Sequence, residues 1–546
     1  MTIKFIVSFA AMIPLAVLAQ TPAPSNSQPG SIRGIVIGSD TNAGLNRAAI
    51  LLRPMYPDGS AGAVIRGNTD EKGEFVLPGI APGRYMLTAE RSGYGRVNYT
   101  EGAAGFRVAT FTVKSGEVKS IRLRLMPLGV VTGSIAGPDG GPLPHAKAIL
   151  SHYMIVDGVR TLLPEREVRA DQKGAFLVTA VPAGQYLLSA YSRDEVVYAP
   201  SYYPGVPSAS SAQPIKVEVG RIVQGLKLQL ATAASFVISG HVTDATGKAV
   251  QGAVVLARRQ PEDGIANLLS SESLTAQSGS GGEFALPRLL PGKYRLELTP
   301  GAQKLTGSTM VDLGTQDVKG VTITAVPGAI VTGRIVFEGN LPGVKRPLSP
   351  HTARISLRAD VQAGGPAIEY IPGTIADDST FRIENVPEGP MRFDVGMSTD
   401  RYYLKAIRQN GSDLTDQTLN VRQGDQIESV EVVIAVPAAQ LTGRVAPDIA
   451  AQSGTQQPEV ILFPRRMETP RARQRLTKVA HVNESGQFTI RGIAPGEYSV
   501  IAVRNAQEGS EADPNFQAAL RLQAKHVTLA TGLAAAGTLQ VTDAPQ

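Results

Sequence analysis

The 546-residue chain has no cysteine and no tryptophan, and only 18% of its residues are charged. Without a thiol there is no disulfide framework, no thiolate metal site, no cysteine nucleophile and no lipid-bearing N-terminal cysteine. Each folded unit is held by packing alone. Lack of tryptophan removes the largest flat surface on which a sugar ring can stack. The formal charge of +6 is small for this length, so only a local basic patch, not the whole molecule, would attract a polyanion. After the N-terminus no apolar run reaches the roughly 20 residues a bilayer requires.

What is abundant is punctuation. The chain holds 57 Gly and 38 Pro, and 42% of its residues are hydrophobic. So much Gly and Pro argues against helical bundles and for all-β sandwiches with many short strands. Enough apolar side chain is present to exclude a disordered chain, and the length implies several domains.

The N-terminus carries Lys4, an apolar run from Phe5 to Ala19 and then Gln20 with a polar stretch. A charged start, a short apolar core and the small-residue site Val17-Leu18-Ala19 read as a secretory signal. The expectation is a chain exported to the periplasm, cell surface or medium, with no transmembrane segment after signal removal and a linker over 20–30.

A pattern of Phe followed ten residues later by Tyr or Met occurs five times: Phe75/Tyr85, Phe176/Tyr186, Phe284/Tyr294, Phe381/Met391 and Phe488/Tyr498. Each pair encloses a Pro-Gly or Pro-x-Gly turn. Upstream of each Phe lies an apolar-x-Gly-x-apolar strand, centred on Gly34, Gly133, Gly240, Gly333 and Gly443. Period-two alternation, as in Tyr85, Leu87 and Ala89, buries one side of a strand and predicts half-buried antiparallel strands. Before three of the Phe residues stand Asx turns, at Asp70, Asp171 and Asn483, closed by Gly73, Gly174 and Gly486; Gly279 and Ala376 replace the Asx residue in repeats three and four. Successive Phe residues are roughly 100 positions apart, the size of one independent sandwich rather than of a solenoid repeat. The expected fold is all-β, a tandem array of about five Ig-like or transthyretin-like antiparallel sandwiches over 31–126, 127–231, 235–326, 328–436 and 438–543. Prolines at the junctions predict an extended, semi-rigid string of about 170 Å, five units of about 34 Å each.

The strand glycine, the Asp-x-x-Gly-x-Phe turn and the Pro-x-Gly-x-Tyr strand together resemble the carboxypeptidase regulatory-like domain. This is a small transthyretin-like sandwich attached to metallocarboxypeptidases and repeated in secreted bacterial proteins. TDEKGEFVLPGIAPGRYMLTA from Thr69 and NESGQFTIRGIAPGEYSV from Asn483 carry the resemblance, which is fullest in repeats one, two and five. It implies a fold and no catalytic residues. Grouping of the wider superfamily with carbohydrate-binding-like folds makes a glycan an expected partner, beside a cell-surface protein.

Candidate chemistry is sparse. His481-Val-Asn-Glu484 has the first spacing of a metallopeptidase zinc site, but it falls in a turn, and His526 is the best available third ligand, so no metal or other cofactor is expected. Asp70 and Glu71 offer too few converging oxygens for calcium. No nucleophile elbow, phosphate loop or dinucleotide fingerprint occurs, and no enzymatic activity is expected. Two ligand-binding candidates stand out. Tyr198, Tyr202 and Tyr203, with Tyr402 and Tyr403 as a weaker counterpart, are a sugar platform if exposed, or the cover of a strand edge if not. The run Arg465–Lys478, with Arg465, Arg466, Arg471, Arg473 and Arg475, is a solvated loop or an anion site able to grip phosphate or carboxylate through paired contacts. Nucleic acid is not expected as a partner. The sequence thus reads as a non-enzymatic exported binding or spacer protein, with an accessory subunit of an exported hydrolase or surface complex as the alternative.

Overall fold

The computed structural model describes residues 28–545, apart from 56–60, 100–109, 157–158, 194–195, 261–273, 300–303, 341–348, 361–369, 447–457, 467, 484, 505 and 507–508. The signal expected over 1–19, and Glu484 of the His-x-x-Glu spacing, lie outside the described residues.

Ten sheets are formed among the described residues, two to each of five sandwiches. In sandwich 1 a three-stranded sheet sets the first strand (Gly30–Gly38) between the Phe strand (Glu74–Ile80) and a closing strand (Val118–Leu125); the facing sheet is built on Ala49–Pro54 and Gly83–Glu90. The same trio recurs as Gly129–Ala136 with Ala175–Val181 and Ile222–Gln229, and again in the other three sandwiches. Each sandwich has its own apolar core.

The repeated residues meet one another. Gly34 stands opposite Phe75 in the ladder, and a Cβ on Gly34 would sit 2.1 Å from the Ile121 carbonyl oxygen and 2.8 Å from the Phe75 ring. Gly133, Gly333 and Gly443 lie equally close under Phe176, Phe381 and Phe488. The ring lies across the strand, and only glycine leaves room for it. Ten residues on, the Tyr hydroxyl donates back over the Pro-Gly turn to a carbonyl four residues upstream: Tyr85 to Ala81, Tyr186 to Pro182, Tyr294 to Leu290 and Tyr498 to Ala494, all at 2.8–2.9 Å. Met391 fills the buried position without that bond. The Asx turns close as read: Asp70 Oδ1 accepts from the amides of Lys72 and Glu74, and Asp171 and Asn483 do the same.

One pairing differs from the antiparallel expectation. In all five sandwiches the closing strand runs parallel to the first. The chain leaves the first strand, builds the opposite sheet and returns from the same end, so first and closing strands are joined by a crossover rather than a hairpin.

The extended string is also corrected. Leu290 of sandwich 3 joins a shell with Ile149, Leu187 and Tyr191 of sandwich 2. Ser308 of sandwich 3 donates to Glu388 of sandwich 4 at 2.6 Å. Contacts also link modules that are not neighbours in sequence: Arg84 of sandwich 1 reaches the Ser398 carbonyl of sandwich 4 at 3.4 Å, and the Met154 side chain of sandwich 2 lies against Gly509 of sandwich 5. Junction prolines fix local φ but leave the direction of the next module to surface packing, which folds the chain back on itself.

Candidate functional site

The tyrosine cluster is part of the fold. Tyr202 is 6% exposed and belongs to the shell that faces Leu290; Tyr198 and Tyr203 are half-buried against the core of sandwich 2. The segment is pinned by backbone bonds, from Tyr203 N–H to the Leu188 carbonyl at 2.9 Å and from Ala199 N–H to the Ala231 carbonyl at 2.9 Å. Tyr402 is buried beside Phe337, at a ring separation of 6.3 Å. Tyr202 and Tyr402 are thus buried, and Tyr198 and Tyr203 half-covered, by the sandwiches that carry them.

The basic run is a helix rather than a loop. Thr469 accepts from Ala472 N–H and caps Pro470–Leu476, with Pro470 in the first turn, where a missing N–H costs nothing. Two of its arginines, Arg471 and Arg475, point into sandwich 4. Arg471 pairs with Asp360, whose side chain is fully buried, and donates to Thr418 at 2.9 Å. Arg475 binds Asp416 through Nε at 3.0 Å and Nη2 at 2.8 Å. Arg473 is buried and donates to the Glu468 carbonyl at 3.2 Å. Arg465 Nη1 lies 3.2 Å from His526 Nε2. Arg466 is exposed. Paired guanidinium–carboxylate geometry is used here to join two modules.

The structure instead brings together residues of three modules far apart in sequence. A cleft of about 2760 Å³ opens where sandwiches 1, 2 and 5 converge. Sandwich 1 contributes the strip Gly95–Tyr99 and the closing-strand residues Ser120, Arg122 and Arg124; sandwich 2 contributes His152, Glu165, Arg166 and Gln185; sandwich 5 contributes Arg444, Glu459, His481 and Arg491. Two histidines each lie beside a carboxylate: His152 Nδ1 is 3.6 Å from Glu165 and His481 Nδ1 is 3.4 Å from Glu459. The His152 ring packs edge-on against Tyr186 at 5.9 Å, and Glu165 is shared with Arg166 at 3.1 Å. Cations, carboxylates, amides and hydroxyls alternate round the walls. Among the described residues no group of three or more His, Asp and Glu side chains could hold a metal ion. Of its lining residues His481 and the repeat residues Tyr186, Gly443, Asn483 and Phe488 are singled out by sequence; the charged residues that surround them come from three modules.

The sequence family described as the carboxypeptidase regulatory-like domain matches residues 31–125 and 237–326. The chain carries carboxypeptidase regulatory-like domains. The match falls on sandwich 1, one of the three where the resemblance is fullest, and on sandwich 3, where it is weaker. No curated protein matches the chain. Among solved structures, the Streptococcal ancillary pilin is similar at 12% identity over 54% of this chain and 99% of that one, with a TM-score of 0.21. A minor pilin of Streptococcus agalactiae aligns at 14% identity over 38% and 97%, with a TM-score of 0.23. The Bacillus anthracis TIE protein aligns at 12% over 76% of each chain, with a TM-score of 0.16. Among the described residues no helix is long and apolar enough to cross a membrane.

Proposed function

We propose that this array of carboxypeptidase regulatory-like domains is a non-enzymatic exported protein that acts as a spacer and binds a glycan or a cell-surface protein at the cleft between its first, second and fifth modules. The modules are those the repeats delimit, from 31–126 to 438–543. One observation carries the reading: the residues that recur from module to module are consumed by the fold. The glycines seat the Phe rings, four of the five Tyr/Met positions tie down the Pro-Gly turn and the Asx residues close hairpins. What differs between modules is the outward charge, and it is outward charge that lines the cleft. Recognition is thus left to surfaces that vary on a constant frame.

The test is a glycan array together with affinity capture from a cell-envelope extract, using the full chain, plus a panel of peptidase and glycosidase substrates. Specific retention of a sugar or an envelope protein, lost when Arg444 and Arg491 are both changed to Glu, supports the reading. Turnover of any panel substrate overturns it.

A further inference from the structure

Sandwich 4 widens the sheet that carries its first strand. Among the described residues the counterpart has three strands in sandwiches 1, 2 and 5 and four in sandwich 3. In sandwich 4, Thr374–Ile375 adds beside the Phe strand, Tyr403–Gln409 adds beside the closing strand Gln426–Ala435, and Ser412–Asp413 follows, making six. This sheet holds a basin of about 1150 Å³, above the roughly 300–1000 Å³ of a pocket for one small ligand. It shares no lining residue with the cleft between sandwiches 1, 2 and 5.

Register decides which side chains the basin presents. Val331, Ile335 and Phe381 belong to the core, so Thr332, Arg334, Thr380 and Arg382 face outward. Glu431 stands beside Arg334 on one side and opposite Arg408 on the other, and Arg408 is in turn opposite Asp413. Arg334 Nε donates to Glu431 at 3.0 Å, and Arg382 Nε to Glu384 at 2.7 Å. Cation and carboxylate alternate across the strands, so the face has no excess of either sign to draw a charged ligand. What it offers is a mixture of donors and acceptors: guanidinium N–H groups, carboxylate oxygens and the hydroxyls of Thr332 and Ser429. Its floor is made of strands already paired with one another, which gives a peptide strand no ladder to join.

A second observation singles out Ser429. The closing strand bulges just before the residue opposite the strand glycine, and sandwiches 2 and 3 place Gly225 and Gly320 there, at φ +79° and +76°. Sandwich 4 places Ser429 there, at φ +61°, a conformation that disfavours a residue with a Cβ. A Cβ at Gly225 or Gly320 would meet nothing within 4 Å, so packing at this position asks for no side chain. Ser429 thus holds a hydroxyl at the basin in a backbone state that glycine would adopt at lower cost.

We propose that the outward face of the six-stranded sheet of sandwich 4 binds an uncharged oligosaccharide laid across its strands. Sugar hydroxyls both donate and accept, as a face of alternating charge and hydroxyl requires, and the length of the basin takes several rings. This site is additional to the cleft, and each fails separately: the Arg444/Arg491 variant tests the cleft, and Ser429 tests the basin.

The experiment titrates the full chain calorimetrically with maltohexaose, cellohexaose and xylohexaose as uncharged probes, and with hexagalacturonate and hexameric chitosan as acidic and basic ones. At least one uncharged hexaose binds, about tenfold or more tightly than either charged hexamer. Ser429→Gly, a residue that the same bulge carries in sandwiches 2 and 3, leaves the unfolding temperature unchanged or raised and weakens binding about fivefold, as does Thr332→Val. Hydrogen exchange at the amides of 408–411 and 428–431 slows when that hexaose is added. Four results overturn the proposal: no uncharged hexaose binds, a charged hexamer binds more tightly, Ser429→Gly binds as the parent does, or binding disappears with Arg444→Glu and Arg491→Glu, which assigns it to the cleft.

Discussion

Gly34 lies directly beneath Phe75, paired with it across the ladder and with no volume between strand and ring for even a methyl group. Gly34→Ala should therefore destabilise sandwich 1 by about 3 kcal/mol, since the new carbon meets a backbone oxygen that cannot move aside. Gly314→Ala in sandwich 3, where a Cβ meets nothing within 4 Å, should stay within about 0.5 kcal/mol of the parent. Calorimetric unfolding of both variants measures the contrast.

Burial pushes the Tyr498 hydroxyl up to about 12, chiefly by desolvation and against the pull of nearby Arg475. A proton held more tightly in the folded state than in the unfolded chain, where the ordinary value is 10.0, stabilises below pH 10, and that stability is lost as pH rises through about 12. Tyr498→Phe should lower stability by about 1 kcal/mol at neutral pH, through the lost bond to Ala494, and should flatten the alkaline decline of sandwich 5. Urea unfolding followed between pH 9 and 12 is the check.

Arg471→Ala leaves the fully buried Asp360 carboxylate with Thr418 as its side-chain donor among the described residues. A stranded buried charge costs about 3 to 5 kcal/mol, and the expected result is a loosened joint between sandwiches 4 and 5, seen as faster proteolysis between them. Replacing Arg471 and Asp360 together by Leu should recover most of the loss, because it removes the unpaired charge along with the pair.

Tyr202→Ala should cost about 3 to 4 kcal/mol, as expected for a large buried side chain, and should leave any glycan retention by the folded protein unchanged. Loss of retention at full stability would return Tyr202 to a binding role.

The fold was readable because its constraints are local and repeated. The Phe, the Gly it covers and the Tyr that ties the Pro-Gly turn recur at nearly fixed spacing, so five weak signals reinforce one another. The parallel closing strand was not readable: alternation in Ile121, Leu123 and Leu125 fixes which face is buried but not the direction of the partner. Arg471 and Arg475 looked like a surface patch because Asp360 and Asp416 lie in the preceding module, where no periodicity links them to the helix. The tyrosines at 198, 202 and 203 show the reverse difficulty. Composition marks them as a platform, and only packing against Leu290 and the sandwich core shows that Tyr202 is buried and Tyr198 and Tyr203 are half-buried.

The account turns on modules 1, 2 and 5 being held together around one cleft, and small-angle scattering of the full chain tests this most directly. Five units of about 34 Å gathered by the Arg84–Ser398 and Met154–Gly509 contacts should give a maximum dimension near about 100 Å, whereas a value near about 170 Å would show an extended string and no such cleft.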